Sequence, residues 1–236
     1  MEKSGFTLLE VALFLAITSL LALIAFAGLG PRLRNVRFTD AVRTLDSSTQ
    51  KQLSDFQDGV NNRAATSKCV APGGVPSLTN SGTGQNSGTS EDCILNGKVA
   101  LFEKTKVTYY PVVSARKSTS SCSPNPTYGD LFCYNPTVVG FSSVKQTVDY
   151  SNGAVLKGSG TAALLYLQDP NGTQASIIPI NPVTLSAISD SHKIDFSVDV
   201  DGQSLPKVCL TLSGREAQIE YSTNSLKPKI TFEGCA

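Results

Sequence analysis

A carboxylate at the edge of a long apolar segment is the residue in this chain with the most demanding chemistry. Glu10 ends the motif GFTLLE (residues 5–10), and the next twenty residues, Val11 to Gly30, carry no charge. An unpaired carboxylate in hydrocarbon costs roughly several kcal/mol. Glu10 is therefore expected to have a partner that offsets this cost.

The cysteines offer a second chemistry, and their pattern favours disulfides over a metal site. All six lie beyond the apolar segment, at Cys69, Cys93, Cys122, Cys133, Cys209 and Cys235. Zinc sites usually combine closely spaced cysteines with histidines, whereas these spacings are wide and the chain has one histidine. Disulfides form in oxidising compartments, so the region beyond Gly30 is predicted to lie outside the cytoplasm.

The sequence leaves the connectivity of these cysteines open, because six cysteines allow several sets of pairs. We prefer nearest-neighbour pairing, since each such bond closes a local loop. This preference gives the pairs Cys69–Cys93, Cys122–Cys133 and Cys209–Cys235.

The chain shows no catalytic constellation, and we expect neither enzymatic activity nor a cofactor. His192 is the only histidine, and Asp190 and Ser191 precede it directly. Catalytic triads converge in space, whereas adjacent side chains in a loop before a strand point apart. His192 is therefore interpreted as a surface residue.

The motif DVDG at residues 199–202 resembles the start of a calcium-binding loop. Asp199 and Asp201 would be its first ligands, but the later ligands and the bidentate glutamate of such loops are missing. Asp-Gly between two strands is also a hairpin signal that needs no metal. We prefer the turn and keep calcium as the alternative.

The N-terminal part is predicted to form one long helix with two different halves. The first half, residues 6–30, is apolar and long enough to cross a membrane. In the second half, residues 31–62, apolar side chains recur at helical spacing while charged ones take the opposite face. Pro31 falls between the halves, so the alternative is two separate helices. The apolar stripe is Phe38, Val42, Leu45, Leu53, Phe56 and Val60.

Residues 63–236 are predicted to form a disulfide-stapled, antiparallel β domain, which gives the whole chain an α+β class. Short runs rich in Val, Ile, Thr, Tyr and Phe recur there, separated by turn signals such as Asn152-Gly153 and Ser213-Gly214. The run from Ile194 to Val200 alternates apolar and polar residues, as a half-buried strand does. Residues 70–92, dominated by Pro, Gly, Ser, Thr and Asn, are expected to be a flexible loop.

The motif GFTLLE and the apolar segment after it resemble the cleavage and methylation site of type IV pilin-like proteins, which include the pseudopilins of type II secretion. The resemblance implies that a prepilin peptidase and methyltransferase removes residues 1–5 as a leader, cutting after Gly5, and methylates the new N-terminal Phe6. It also implies that Glu10 meets the cationic N-terminus of a neighbouring subunit.

The resemblance further implies partners and a location. The partners are other pilin or pseudopilin subunits, the peptidase and an assembly platform in the inner membrane. The chain would cross the cytoplasmic membrane once, with its C-terminal domain outside, and then join a pilus at the cell surface or a pseudopilus in the periplasm. The chain is longer than many major pilins, so we favour a minor subunit. Arg32, Arg34 and Arg37 would by themselves place the C-terminal side in the cytoplasm, but the cysteines and the resemblance outweigh them.

Alternative functions come from two other classes. The chain could be a membrane-anchored binding or adhesion module that never polymerises; a signal peptide is disfavoured because the apolar segment is too long. It could also be a DNA-uptake subunit, because the segment from Cys209 to Arg215 resembles a Gly-Arg stretch that contacts DNA in some minor pilins. The net charge of +1 and the isolated Lys227 and Lys229 argue against nucleic-acid binding.

Overall fold

The structure is a computed structural model. It describes residues 7–57, 68–79, 93–115, 136–139, 145–150, 152–157, 161–168, 175–182, 191–194, 205, 207–222, 225–232, 234 and 235. Within these residues one long N-terminal helix packs against antiparallel β-sheets. The predicted α+β class is confirmed.

Helix α1 runs without a break from Leu8 to Gln57. Pro31 lies inside it, so the alternative of two separate helices is wrong. Proline removes one backbone hydrogen bond from a helix, but here the helical backbone continues on both sides of Pro31. At ~1.5 Å per residue, the fifty residues of α1 extend about 75 Å.

Thirteen strands follow in the described part of the chain, and most of them are short. Their bounds are β1 Lys68–Val70, β2 Ser77–Thr79, β3 Cys93–Phe102, β4 Lys106–Ala115, β5 Thr137–Val139, β6 Gln146–Asp149, β7 Val155–Leu156, β8 Ala162–Gln168, β9 Ala175–Pro179, β10 Ser191–Lys193, β11 Lys207–Leu212, β12 Arg215–Ser222 and β13 Ser225–Thr231.

These strands form two main sheets and one small hairpin, and every pairing is antiparallel. The large sheet has the order β10-β5-β4-β3-β8-β9, with β6 pairing on the edge of β4. The C-terminal sheet has the order β13-β12-β11-β7. Among the described strands, β1 and β2 pair with each other alone.

The second half of α1 fills the space between the two main sheets. Phe38, Val42 and Leu45 on the helix share one buried cluster with residues of both sheets. Alternation along the strands explains this cluster, since every second side chain of a strand points to the same face. On β3, for example, Ala100 and Phe102 face the helix.

The other face of the large sheet is buried as well. Val99 and Leu101, which alternate with the helix-facing residues of β3, join a second apolar cluster that includes Ile180 and Ile194. Strands β3, β4 and β8 are therefore apolar on both faces, which explains why they read as nearly continuous apolar runs.

Two of the predicted turns have the backbone conformation that their residues favour. Ser213 and Gly214 both have positive φ, 50° and 81°, and they join β11 to β12 as a two-residue hairpin. Asn152 and Gly153 have φ of 34° and 92°. Successive positive φ values match the right-handed twist of the strands and favour Asn and Gly.

The structure differs from the sequence-based expectations at three places. Residues 70–79 of the expected loop 70–92 instead belong to the β1–β2 hairpin, which contains a short 3-10 turn at Pro72–Gly74, and residues 80–92 lie outside the described part. The continuous run from Val99 to Val113 divides into β3 and β4 at a tight turn. His192 lies in strand β10, opposite Val138, and not in a loop.

Candidate assembly site and the helix docking face

The first half of α1 makes no packing contact with the described part of the β domain. None of its apolar stretch is buried against described residues, and the helix is long and apolar enough to span a membrane. Its large side chains, such as Leu13 at 62% and Phe26 at 72% exposure, all face outward. A surface of this kind is stable only when lipid or another apolar surface covers it.

Thr7 and Glu10 form the start of α1. The backbone N–H of Glu10 donates to Thr7 Oγ1 at 3.3 Å, and the N–H of Val11 donates to the Thr7 carbonyl at 3.2 Å. Thr7 therefore caps the helix, and the spacing T-x-x-E matches a capping box. This helix-start signal is an additional role for Thr7 and Glu10. Gly5 and Phe6 lie outside the described residues.

The packed half of α1 begins at Phe38, which is only 2% exposed. The Phe38 ring meets the ring of Phe232 edge to face, with centroids 6.4 Å apart. Further along, Thr49 and Gln52 are buried on the same helical face, where the sequence pattern predicted only apolar residues. The docking face of the helix is therefore apolar near Phe38 and mixed near its end, where Leu53 is buried beside the polar Gln52.

Tyr109 on β4 contacts the polar residues near the end of the helix docking face. Its hydroxyl lies 3.1 Å from Thr49 Oγ1 and 3.3 Å from Ser48 Oγ on α1. Burial raises the pKa of the Tyr109 phenol, and the two hydroxyl contacts oppose that effect. The phenol is therefore a neutral hydrogen-bonding group at neutral pH, and it fixes the axial position of the helix on the sheet.

Lys98 on β3 also contacts the polar residues near the end of the helix docking face. Its Nζ donates to Gln52 Oε1 at 2.7 Å, and Gln52 Nε2 donates to Gln146 Oε1 at 2.7 Å. Burial lowers the pKa of Lys98, while the negative charge of Asp55 raises it. The chain of contacts links β3, α1 and β6, so the end of the helix is tied to both centre and edge of the large sheet.

A buried phenol beside this contact, that of Tyr166 on β8, has no hydrogen-bond partner within the described residues. Burial raises the pKa of the Tyr166 phenol well above its usual value. An orphaned buried hydroxyl costs free energy, because it has given up its hydrogen bonds to water.

Disulfides join Cys69 to Cys93 and Cys209 to Cys235. These are two of the three nearest-neighbour pairs; Cys122 and Cys133 lie outside the described residues. Cys69–Cys93 ties the β1–β2 hairpin to the large sheet, and Cys209–Cys235 ties the C-terminus to β11. Glu216 lies close to the Cys209–Cys235 bond. The two cysteine sulfurs are bonded to each other, so they are not free to bind a metal.

Other candidate residues fall into two groups. Asp199 and Asp201, the calcium alternative, lie outside the described residues. The Gly214-Arg215 pair lies at the β11–β12 turn, with Arg215 exposed, and Lys229 is exposed on β13.

No family model, curated protein or solved structure matches the chain. Its functional interpretation therefore depends on its own residues and geometry.

Proposed function

We propose that this protein is a structural subunit, minor in stoichiometry, of a type IV pilus or a type II secretion pseudopilus. It is processed after Gly5, methylated at Phe6, and assembled through the first half of α1. The globular domain is the part displayed outside the filament core.

The observation that carries this proposal is the division of one unbroken helix into an exposed apolar half and a packed half. Residues from Phe38 to Leu53 are anchored in the β domain, so the exposed half extends from it as a rigid arm. Lipid can cover this arm in the membrane, and apolar arms of other subunits can cover it in a filament.

Glu10 gives the assembly its register under this proposal. After cleavage, the amine of Phe6 would lie one helical turn before Glu10, and a neighbouring subunit's amine would pair with the Glu10 carboxylate. Both charges leave water in that contact, so the pair contributes positional specificity more than net stability. The Thr7 cap supports the arrangement because it orders the first turn that carries Glu10.

The experiment is replacement of Glu10 by alanine and by glutamine, with incorporation into filaments as the readout. Glu10→Ala should leave membrane insertion intact, because it removes a charge that hydrocarbon disfavours. Incorporation should fall for both variants, because glutamine keeps the size of Glu10 but not its charge.

Thr18→Val is the matched control in the same apolar half. The Thr18 hydroxyl donates to the carbonyls of Phe14 and Leu15, at 2.9 and 3.1 Å, so its bonding is satisfied within its own helix. This variant should assemble normally. Filaments that accept both Glu10 variants as readily as the wild type would favour the membrane-anchored module instead.

A further inference from the structure

The membrane-proximal end of the β domain carries an exposed aromatic ring beside a cation. Phe38 is the first buried residue of α1, and Phe232, which packs on it, is 55% exposed. Arg215, at the β11–β12 turn, lines the same open pocket as these two rings. This end of the domain therefore lies closest to the apolar half of the helix.

Three more arginines lie on the helix between the apolar half and Phe38. Arg32, Arg34 and Arg37 are all exposed. Arg34 is four residues before Phe38, so it lies one turn lower on the same helical face. Arg34 also lies about 6 Å beyond Gly30 along the helix. The polar layer on each side of a bilayer is roughly 5–7 Å thick, so Arg34 lies at the level of that layer if the apolar segment ends at Gly30. We call Arg32, Arg34, Arg37, Arg215 and Phe232 the basal patch.

The acid in the pocket beside Arg215 already has other partners. Glu216 lines that pocket, but its carboxylate accepts from Lys157 Nζ and from the Cys235 N–H. Across the described residues, no carboxylate forms a salt bridge with any of the four arginines. Their charges remain available to an external anion.

We propose that the basal patch binds anionic phospholipid headgroups and seats the β domain on the membrane before assembly. The inference rests on α1 spanning the bilayer, which places the arginines at the level of the phosphates. A second copy of the same patch is a poor partner, because it would bring the same four positive charges together. Phe232 adds an apolar ring at the water–lipid boundary, a combination with arginine that is typical of interfacial contacts.

The experiment uses a tryptophan at position 232 in the full chain. The protein has no tryptophan, so Phe232→Trp introduces a unique indole fluorophore and keeps an aromatic ring against Phe38. The chain is placed in vesicles of phosphatidylcholine, with or without phosphatidylglycerol, and quenching by a lipid with a nitroxide headgroup is measured. Val75→Trp is the control, since Val75 is exposed on the β1–β2 hairpin.

Quenching of the Phe232→Trp variant should increase when phosphatidylglycerol is present, and quenching of the Val75→Trp variant should not. Adding Arg34→Gln or Arg215→Gln should lower the ratio of docked to undocked domain about fivefold each, as expected for one interfacial cation. Arg43→Gln is the charge-matched control: it lies about 13 Å farther along the helix than Arg34, beyond the Debye length, and should have no effect.

A second measurement keeps the proposal open to refutation if the tryptophan disturbs folding. The otherwise wild-type chain and its arginine variants are released from mixed-lipid nanodiscs, and the lipids that remain bound are identified by native mass spectrometry. The wild type should retain phosphatidylglycerol in preference to phosphatidylcholine, and Arg34→Gln and Arg215→Gln should lose that preference.

Three results would overturn the proposal. The first is equal quenching in both kinds of vesicle, and the second is quenching that changes only with protein density and so reports self-association. The third is displacement of the tryptophan from lipid by short duplex DNA at physiological salt. None of these results concerns Glu10, so the filament proposal stands or falls separately.

Discussion

Tyr166→Phe is expected to stabilise the β domain, although it removes a polar group from a well-packed tyrosine. The Tyr166 hydroxyl is buried and has no partner among the described residues. Leaving such a group unpaired costs about 1–3 kcal/mol, so its removal should raise the free energy of unfolding by an amount in that range.

Tyr109→Phe is the matched comparison and should have the opposite sign. Tyr109 belongs to the same buried cluster, but its hydroxyl contacts Ser48 and Thr49 on α1. Loss of a satisfied hydrogen bond costs about 0.5–1.5 kcal/mol. The same chemical change at two neighbouring tyrosines thus separates the effect of an orphaned hydroxyl from that of packing.

The pH dependence gives a second readout of Tyr166→Phe. Burial raises the pKa of the Tyr166 phenol in the folded state. Above pH ~10 the unfolded chain therefore releases a proton that the folded chain keeps, and stability falls by about 1.4 kcal/mol per pH unit for this group. The variant lacks this loss, so its advantage over the wild type should widen as the pH rises above about 10.

Urea unfolding of the full chain in detergent micelles, followed by far-ultraviolet circular dichroism, measures both effects. Equal destabilisation by Tyr166→Phe and Tyr109→Phe would refute the reasoning. So would a Tyr166→Phe advantage that stays constant between about pH 8 and 11, a range that spans the ordinary phenol pKa.

Two further predictions concern the sheet and the disulfides. Gly97→Ala should destabilise the domain by about 1–3 kcal/mol in the same urea assay. The new Cβ would lie 2.7 Å from the Tyr166 carbonyl oxygen and 2.9 Å from Val112 Cβ. An unchanged unfolding midpoint would contradict this prediction. Replacing Cys209 and Cys235 together by serine should lower the free energy of unfolding by about 2–4 kcal/mol, because the bond closes a loop between residues 26 apart. Peptide mapping of the wild type should recover Cys209 linked to Cys235. Any other partner would contradict the fold.

The long helix and the β class could be predicted from the sequence, because their signals are local. An uncharged apolar run, a helical stripe and turn pairs such as Ser213-Gly214 each depend on residues close together in the chain. The capping role of Thr7 was available from the same local signals, in the T-x-x-E spacing.

The docking face of the helix could not be predicted in the same way, because it depends on contacts between distant residues. Thr49 and Gln52 are buried only because Tyr109 and Lys98, on strands paired far along the chain, offer them hydrogen bonds. The lack of room for a side chain at Gly97 likewise depends on strand register. The pairing of β3 with β4 shifts between Leu95 and Gly97, and neighbouring strands approach the Gly97 backbone closely. Short polar segments such as residues 68–79 can pair as a hairpin when a disulfide holds them to the sheet.

The central claim, that this chain is a processed filament subunit, is tested most directly at its N-terminus. The protein is purified from membranes of the cells that make it, and its N-terminal peptide is identified by mass spectrometry. We expect a chain that begins at N-methylated Phe6 and retains Glu10. A chain that begins at Met1, or one cut near Ala27, would contradict the claim.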